Sequence, residues 1–244
     1  MIHPDYNTAA SLKSVLDEHG FSMQKKFGQN FLINPDARKK IIDALELDKN
    51  TSIWEVGPGL GAMTNEILER GANLTAFEID KGFAQLINEF FESYKNEDRF
   101  RVIEGDVLKN WKNQLKEKGK PERFFGNLPY NIAATLIANT IEEGIRFDRC
   151  VFTVQKEVAL RMAAKPDTQD YSSFSVICQW AYDIKVIGDL SGSNFWPQPN
   201  VDSRSVIFTP KDNFPNCENP QLFMKMQRAL FSSRRKTVRN VTFK

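Results

Sequence analysis

The sequence predicts an α/β fold built on a doubly wound, mostly parallel sheet of seven strands. Three observations carry this. Short apolar runs alternate with amphipathic helical runs through most of the chain. A glycine-rich turn, Gly57-Pro58-Gly59-Leu60-Gly61, ends the first of these strands and opens a helix. The last two apolar runs have no helix between them, which puts an antiparallel hairpin at one edge of the sheet.

Taken in order, Asn34-Pro35 supplies an N-cap and a first-turn proline for a helix through Leu45, with Ile41, Ile42 and Leu45 on one face. Thr51–Val56 reads as a buried strand and Gly61–Arg70 as a helix. Ala72–Ile79 is a strand, Lys81–Tyr94 a helix and Arg99–Ile103 a strand. Glu122–Gly126, helix Ile132–Glu143 and Phe147–Val154 repeat the pattern, followed by a helix near Tyr171–Tyr182. Asp183–Leu190 and Ser203–Thr209 form the hairpin, joined by a proline-bearing loop. Phe214–Pro220 reads as a linker to a small helical basic domain at 211–244, with residues 1–26 as an N-terminal extension to a main domain at 27–210.

Composition narrows the function classes. Of 244 residues, 41% are hydrophobic, enough for a sizeable core, yet no apolar run approaches the roughly 20 residues of a membrane span. The first 20 residues mix acids with apolar groups and do not read as a signal peptide. Cys150, Cys178 and Cys217 are widely spaced, so neither a disulfide framework nor a metal site is expected, and a reduced cytoplasmic setting follows. The net charge of +2 conceals an asymmetry: residues 211–244 carry +6 and the rest −4. Arg228, Arg234, Arg235, Lys236 and Arg239 fall in a stretch without acids, a patch suited to a polyanion or, taken alone, an ordinary solvated helix face.

The glycine turn and the acid Glu78 at the end of the next strand suit a nucleoside cofactor, since a carboxylate there can accept both ribose hydroxyls. Those two features fit NAD as well as S-adenosylmethionine. The spacing GxGxG, the further strand end Glu104-Gly105-Asp106 and the lack of a histidine placed for hydride chemistry favour S-adenosylmethionine. No phosphate-binding loop of the Walker type is present.

Asn127-Leu128-Pro129-Tyr130 follows the fourth strand, at the edge where open α/β sheets bind ligands. An adenine amino nitrogen is a poor nucleophile because its lone pair is delocalised into the ring. The Asn127 side-chain oxygen and the Leu128 carbonyl can each accept one amino hydrogen, Pro129 stiffens the turn, and Tyr130 offers a stacking face. His3 and His19 lie outside every motif, so a histidine base is not expected. Phe195, in the proline-rich loop Phe195–Ser203, is the candidate second ring, with Trp196 its competitor; either can instead cap the core.

In this order the motifs resemble the small-subunit ribosomal RNA adenine dimethyltransferases of the KsgA type, from Phe27-Gly28-Gln29-Asn30-Phe31-Leu32 to Arg239-Asn240. The resemblance takes in the glycine turn, Glu78, Asp106, Asn127–Tyr130, Gln155–Ala159, the Phe195–Ser203 loop and Arg234–Thr237. It implies a Rossmann-like class I methyltransferase fold and cofactor contacts at Asn30, Leu32, Gly57, Glu78, Asp106 and Asn127, to which Gly59 of the turn is added. It further implies dimethylation of two adjacent adenines in a hairpin loop near the 3′ end of small-subunit RNA, within an immature particle. The family's helical domain runs on past Arg234–Thr237, so residues 211–244 are expected to be an incomplete part of it. Alternatives are an erythromycin-resistance type acting on large-subunit RNA, a DNA adenine methyltransferase, or a non-catalytic RNA-binding assembly factor. A monomer is expected.

Overall fold

The computed structural model describes residues 3–23, 29–128, 130–234 and 236–239, with the backbone alone at 130 and 131. Expectations placed on Phe27, Gly28, Pro129, the Tyr130 ring, Arg235 and Asn240 lie outside the described residues.

Helix α1 (Ala9–Glu18) opens on Thr8, whose side chain accepts the Ser11 N–H, and buries Leu12 and Leu16. Strand β1 (Phe31–Leu32) leads into α2 (Pro35–Asp43), where Asn34 is the N-cap and accepts from the Ala37 N–H. Then come β2 (Ser52–Val56), α3 (Ala62–Glu69), β3 (Asn73–Glu78), α4 (Lys81–Phe90), α5 (Glu92–Asn96) and β4 (Phe100–Glu104). The second half holds α6 (Val107–Lys118), β5 (Arg123–Asn127), α7 (Tyr130–Glu142), β6 (Arg149–Gln155), α8 (Lys156–Met162) and α9 (Ser173–Ala181). It closes with β7 (Tyr182–Leu190), β8 (Phe195–Trp196), β9 (Ser203–Pro210) and α10 (Pro220–Ser232).

Two expectations need correction. The helix anticipated over Lys81–Tyr94 is two helices, broken at Phe91. Phe91, at φ −109° and ψ 25°, leaves helical geometry, and its ring is buried against Phe100 and Tyr94. The segment read as loop at 195–196 is a strand, paired antiparallel to β1 with Phe31 opposite Trp196 and Leu32 opposite Phe195.

The main sheet has the order β4-β3-β2-β5-β6-β9-β7. Strands β2 to β6 are parallel, and β9 runs antiparallel between β6 and β7, completing the edge hairpin. Its register shifts between Val186 and Gly188, a bulge in the outer strand. Alternation along the strands sorts side chains onto two faces. Ile53, Leu74, Phe125 and Val151 join one core cluster with the N-terminal segment, α2, α3 and α4. Trp54, Phe77, Phe124 and Phe152 join the other, under α6 to α10. The second face carries a row of rings, Trp54, Phe124, Phe152, Phe208 and Tyr182, with successive centroids 5.2–6.2 Å apart. Each such ring buries enough apolar surface to contribute roughly 1.5–3 kcal/mol.

The N-terminal segment is not a loose appendage: Tyr6, Leu12 and Leu16 are buried in the first cluster. At the other end, α10 places Met224 in the second cluster, and Arg228 forms an ion pair with Glu142 of α7. No helix among the described residues is long and apolar enough to cross a membrane.

Candidate active site

The chain runs outward from β2 to β3 and β4, then returns to place β5 on the other side of β2. The carboxyl ends of β2 and β5 therefore flank a topological switch point, where open α/β sheets form their ligand crevice. The glycine turn leaves β2 there, and Asn127 ends β5 beside it. A Cβ built on Gly57 would stand 3.7 Å from the Asn127 carbonyl oxygen. Gly57, Gly59 and Gly61 have φ of 73°, 58° and 91°, a left-handed run that only glycine adopts without strain. At Gly59 space is also limiting, because a Cβ would lie 2.9 Å from the Phe31 ring.

Glu78, at the end of β3, is held in place before any ligand arrives. One carboxylate oxygen accepts the Gly59 N–H at 3.1 Å and the other the Asp80 N–H at 2.8 Å. Each oxygen keeps a lone pair, so the two can receive two vicinal hydroxyls. Burial raises its pKa to about 7, opposed by those backbone donors. Glu55, on the adjacent strand, is pushed by burial to about 8, although the Thr64 hydroxyl donates to it at 2.7 Å. Neighbouring Asp80 caps α4 and accepts from the Gln29 side chain at 3.2 Å. Asp106 caps α6 through Oδ1, which accepts the Leu108 N–H at 2.9 Å; its second oxygen can accept an amino group. Between these acids Ile79 is 45% exposed, an apolar side chain at the strand end. Two hydroxyl acceptors, one amino acceptor and a glycine turn fit the nucleoside part of S-adenosylmethionine.

On the other side of the crevice, the Asn127 amide donates to the Asn30 carbonyl at 3.4 Å, leaving its oxygen as the atom able to accept. Leu128 is buried, and its N–H donates to the Thr153 carbonyl at 3.0 Å, which ties the Asn127–Leu128 peptide to β6. The Thr153 and Ser205 hydroxyls, 2.8 Å apart and buried, tie β6 to β9 behind that point. Leu32 is buried in β1. The Tyr130 backbone opens α7.

Phe195 is 4% exposed and belongs to the first core cluster, so a base can meet its ring only after its cover moves. Trp196 is less buried and stacks on Phe31 with centroids 6.1 Å apart. In the basic tail, Arg234 reaches the Gln169 carbonyl at 3.4 Å and stands over the Phe231 ring, while Lys236 and Arg239 are exposed.

Sequence reasoning missed Ile79, Thr153 and Gln29. Ile79 was readable as an apolar residue between two strand-end acids; Thr153 meets Leu128 through its carbonyl and Ser205 through its hydroxyl, pairings between distant segments that leave no mark in the sequence.

Residues 20–243 match the ribosomal RNA adenine dimethylase family. The chain is 54% identical over 237 residues to ribosomal RNA small subunit methyltransferase A of Treponema denticola, covering 97% of this chain and 80% of the relative. The protein of the same name from Borreliella burgdorferi is 44% identical over 236 residues, with 97% and 81% covered. Among solved structures, a dimethyladenosine transferase from Plasmodium falciparum superposes with a TM-score of 0.73 at 28% identity, over 85% of this chain and 73% of that one. The 23S rRNA methyltransferase ErmE, at 21% identity and a TM-score of 0.63 over 85% and 81%, shares the fold. The chain thus belongs to the ribosomal RNA adenine dimethylase family and is an S-adenosylmethionine-dependent methyltransferase of ribosomal RNA.

Proposed function

We propose that the chain dimethylates two adjacent adenines in a hairpin loop near the 3′ end of small-subunit ribosomal RNA, on an immature subunit. The observation that carries the reading is the placement of Asn127 and Leu128 across the crevice from Glu78, with the Asn127 oxygen left free of Asn30 to accept. Relatives named for the small subunit, at 44–54% identity, support the choice of RNA.

When bound, the cofactor supplies an electrophilic methyl group on a sulfonium. Asn30, Leu32, Gly57, Gly59, Glu78, Asp106 and Asn127 are the residues assigned to hold it. Asn127 and the Leu128 carbonyl accept the two amino hydrogens of the target adenine, concentrating electron density on nitrogen as the N–C bond forms and the sulfur–methyl bond breaks, its electron pair staying on a neutral thioether. The Asn127 amide is oriented beforehand by the Asn30 carbonyl, so rate comes from positioning. The amino proton leaves to solvent after the methyl has moved. Tyr130 and Phe195 are assigned to stack on the base, and Arg234, Arg235, Lys236 and Arg239 to contact RNA phosphates. The protein acts in the cytoplasm, as a monomer and without a metal.

The test supplies labelled cofactor with small ribosomal particles, large-subunit RNA or duplex DNA, and identifies the product by nuclease digestion and mass spectrometry. Dimethyladenosine at adjacent positions of small-subunit RNA alone is the expected result. Product in large-subunit RNA would install the erythromycin-resistance reading. Tight RNA binding with no product would leave an assembly factor.

A further inference from the structure

Residues 3–21 reach both the glycine turn and the start of α4, and one buried arginine joins them to β1. Arg38 of α2 is 4% exposed and serves four acceptors. Its Nη1 donates to the Tyr6 carbonyl at 3.2 Å and the Leu32 carbonyl at 2.9 Å. Nη2 donates to the Asn7 side chain at 2.5 Å, and Nε to Glu66 at 3.0 Å. The same N-terminal segment reaches the glycine turn, where the Tyr6 hydroxyl would be 3.3 Å from a Cβ on Gly61. Phe21 lies against Gly82, two residues past Asp80, so closely that a Cβ there would stand 2.7 Å from its ring.

Strand β1 is where these contacts matter. It carries Phe31 against Gly59, receives the Asn127 amide next door at Asn30, and pairs with Phe195 and Trp196. Two residues of ladder hold a strand weakly, so its position must come from outside the ladder. A guanidinium fork that grips the Leu32 carbonyl and the N-terminal segment together provides that position. Lysine, with a compact charge and no fork, cannot serve the same four acceptors.

We propose that residues 3–21 brace the cofactor edge and that Arg38 is a positioning residue for methyl transfer, acting through β1 on the glycine turn, Asn127 and Phe195. This rests on the site assigned above. Small misplacements near reacting atoms cost rate steeply, by roughly a hundredfold per ångström.

The experiment compares full-length Arg38→Lys, Asn7→Ala and Phe208→Leu with wild type. Phe208→Leu loosens the core on the far side of the sheet and controls for lost stability. Arg38→Lys is expected to slow single-turnover methylation at saturating cofactor by about tenfold and to weaken cofactor affinity a few-fold. RNA affinity is expected to hold, and hydrogen exchange at the Ile33 amide, which donates to the Asn194 carbonyl at 2.9 Å, to quicken. Asn7→Ala gives a smaller loss of the same kind and serves if Arg38→Lys does not fold. Phe208→Leu lowers Tm yet keeps rate and affinity. Wild-type rate and cofactor affinity in folded Arg38→Lys and Asn7→Ala would overturn the brace, as would equal losses in Phe208→Leu at equal Tm. Glu78→Ala is run alongside. If it binds cofactor normally, the site assignment falls and takes the brace with it; if it fails to bind while Arg38→Lys is silent, the brace alone falls.

Discussion

The cofactor edge and the base edge of the sheet are assembled by different means. The cofactor edge draws on three consecutive strand–helix turns between residues 55 and 106. Its polar groups are fixed by nearby backbone: Glu78 by Gly59 and Asp80, Gly105 by the Glu78 carbonyl at 2.7 Å, Asp106 by its own helix. The base edge is gathered from distant parts of the chain. Asn127 is held by Asn30, Leu128 by Thr153, and Phe195 by Leu32. The cofactor edge sets its acids through its own turns and leans on outside segments at Gly59, Asp80 and Gly82, whereas the base edge depends on long-range contacts at every residue.

The sharpest way to separate the two edges is Asn127→Ala. It should depress single-turnover methylation at saturating cofactor by about a hundredfold or more, as loss of an oriented polar group does. RNA affinity should change little. Near-normal rates in a folded variant would remove Asn127 from the chemistry.

Glu78→Ala should instead weaken cofactor binding by about 1–3 kcal/mol, the cost of leaving buried hydrogen-bonding groups unpaired. Its pH behaviour follows from its raised pKa of about 7. Only the ionised carboxylate accepts two hydroxyls, so below pH 7 binding must expel a proton. Affinity should fall by up to about tenfold per pH unit there and level off above. Stability runs the other way: the unfolded glutamate ionises near its ordinary 4.5, so the folded state loses ground as pH rises from there to about 7. Glu55 adds a like slope to about 8, so the diagnostic quantity is the difference between wild type and Glu78→Gln. Calorimetry across pH that finds the same profile for both would take the ribose role from Glu78.

Phe195→Ala and Trp196→Ala decide which ring faces the base. A stacked ring contributes about 1–3 kcal/mol to base binding, while a core ring costs stability in its place. If Phe195 acts through the base, its loss raises the RNA KM; if only Tm falls, the ring is packing and Trp196 is the next choice. The smallest effect belongs to the tail. Neutralising Arg234, Arg235 and Lys236 should flatten the salt dependence of RNA binding by up to about three units of slope and leave cofactor affinity alone. An unchanged slope would make the run a solvated face.

Legibility in the sequence followed the same division. The sheet, the edge hairpin, the Asn34 cap and the strand-end positions of Glu78 and Asp106 are written in contiguous patterns of alternation, turn and cap. The β1–β8 pair was not legible, because two residues carry no period and their partner lies far along the chain. The N-terminal helix was passed over too, since its buried face is only Leu12 and Leu16. Arg38 reads as one cation of a basic helix; that it is buried depends on where Tyr6 and Asn7 arrive.

The outer strand β7 has a further meaning. It spans Tyr182–Leu190 at the end of the sheet, long for a strand with one side of its backbone turned away from the ladder. Such an edge is a template on which another chain can add a strand and begin to aggregate. The bulge between Val186 and Gly188 interrupts the flat run of donors and acceptors, and exposed Lys185 sets a charge beside it. An edge interrupted in this way offers a neighbouring strand no long flat run on which to pair.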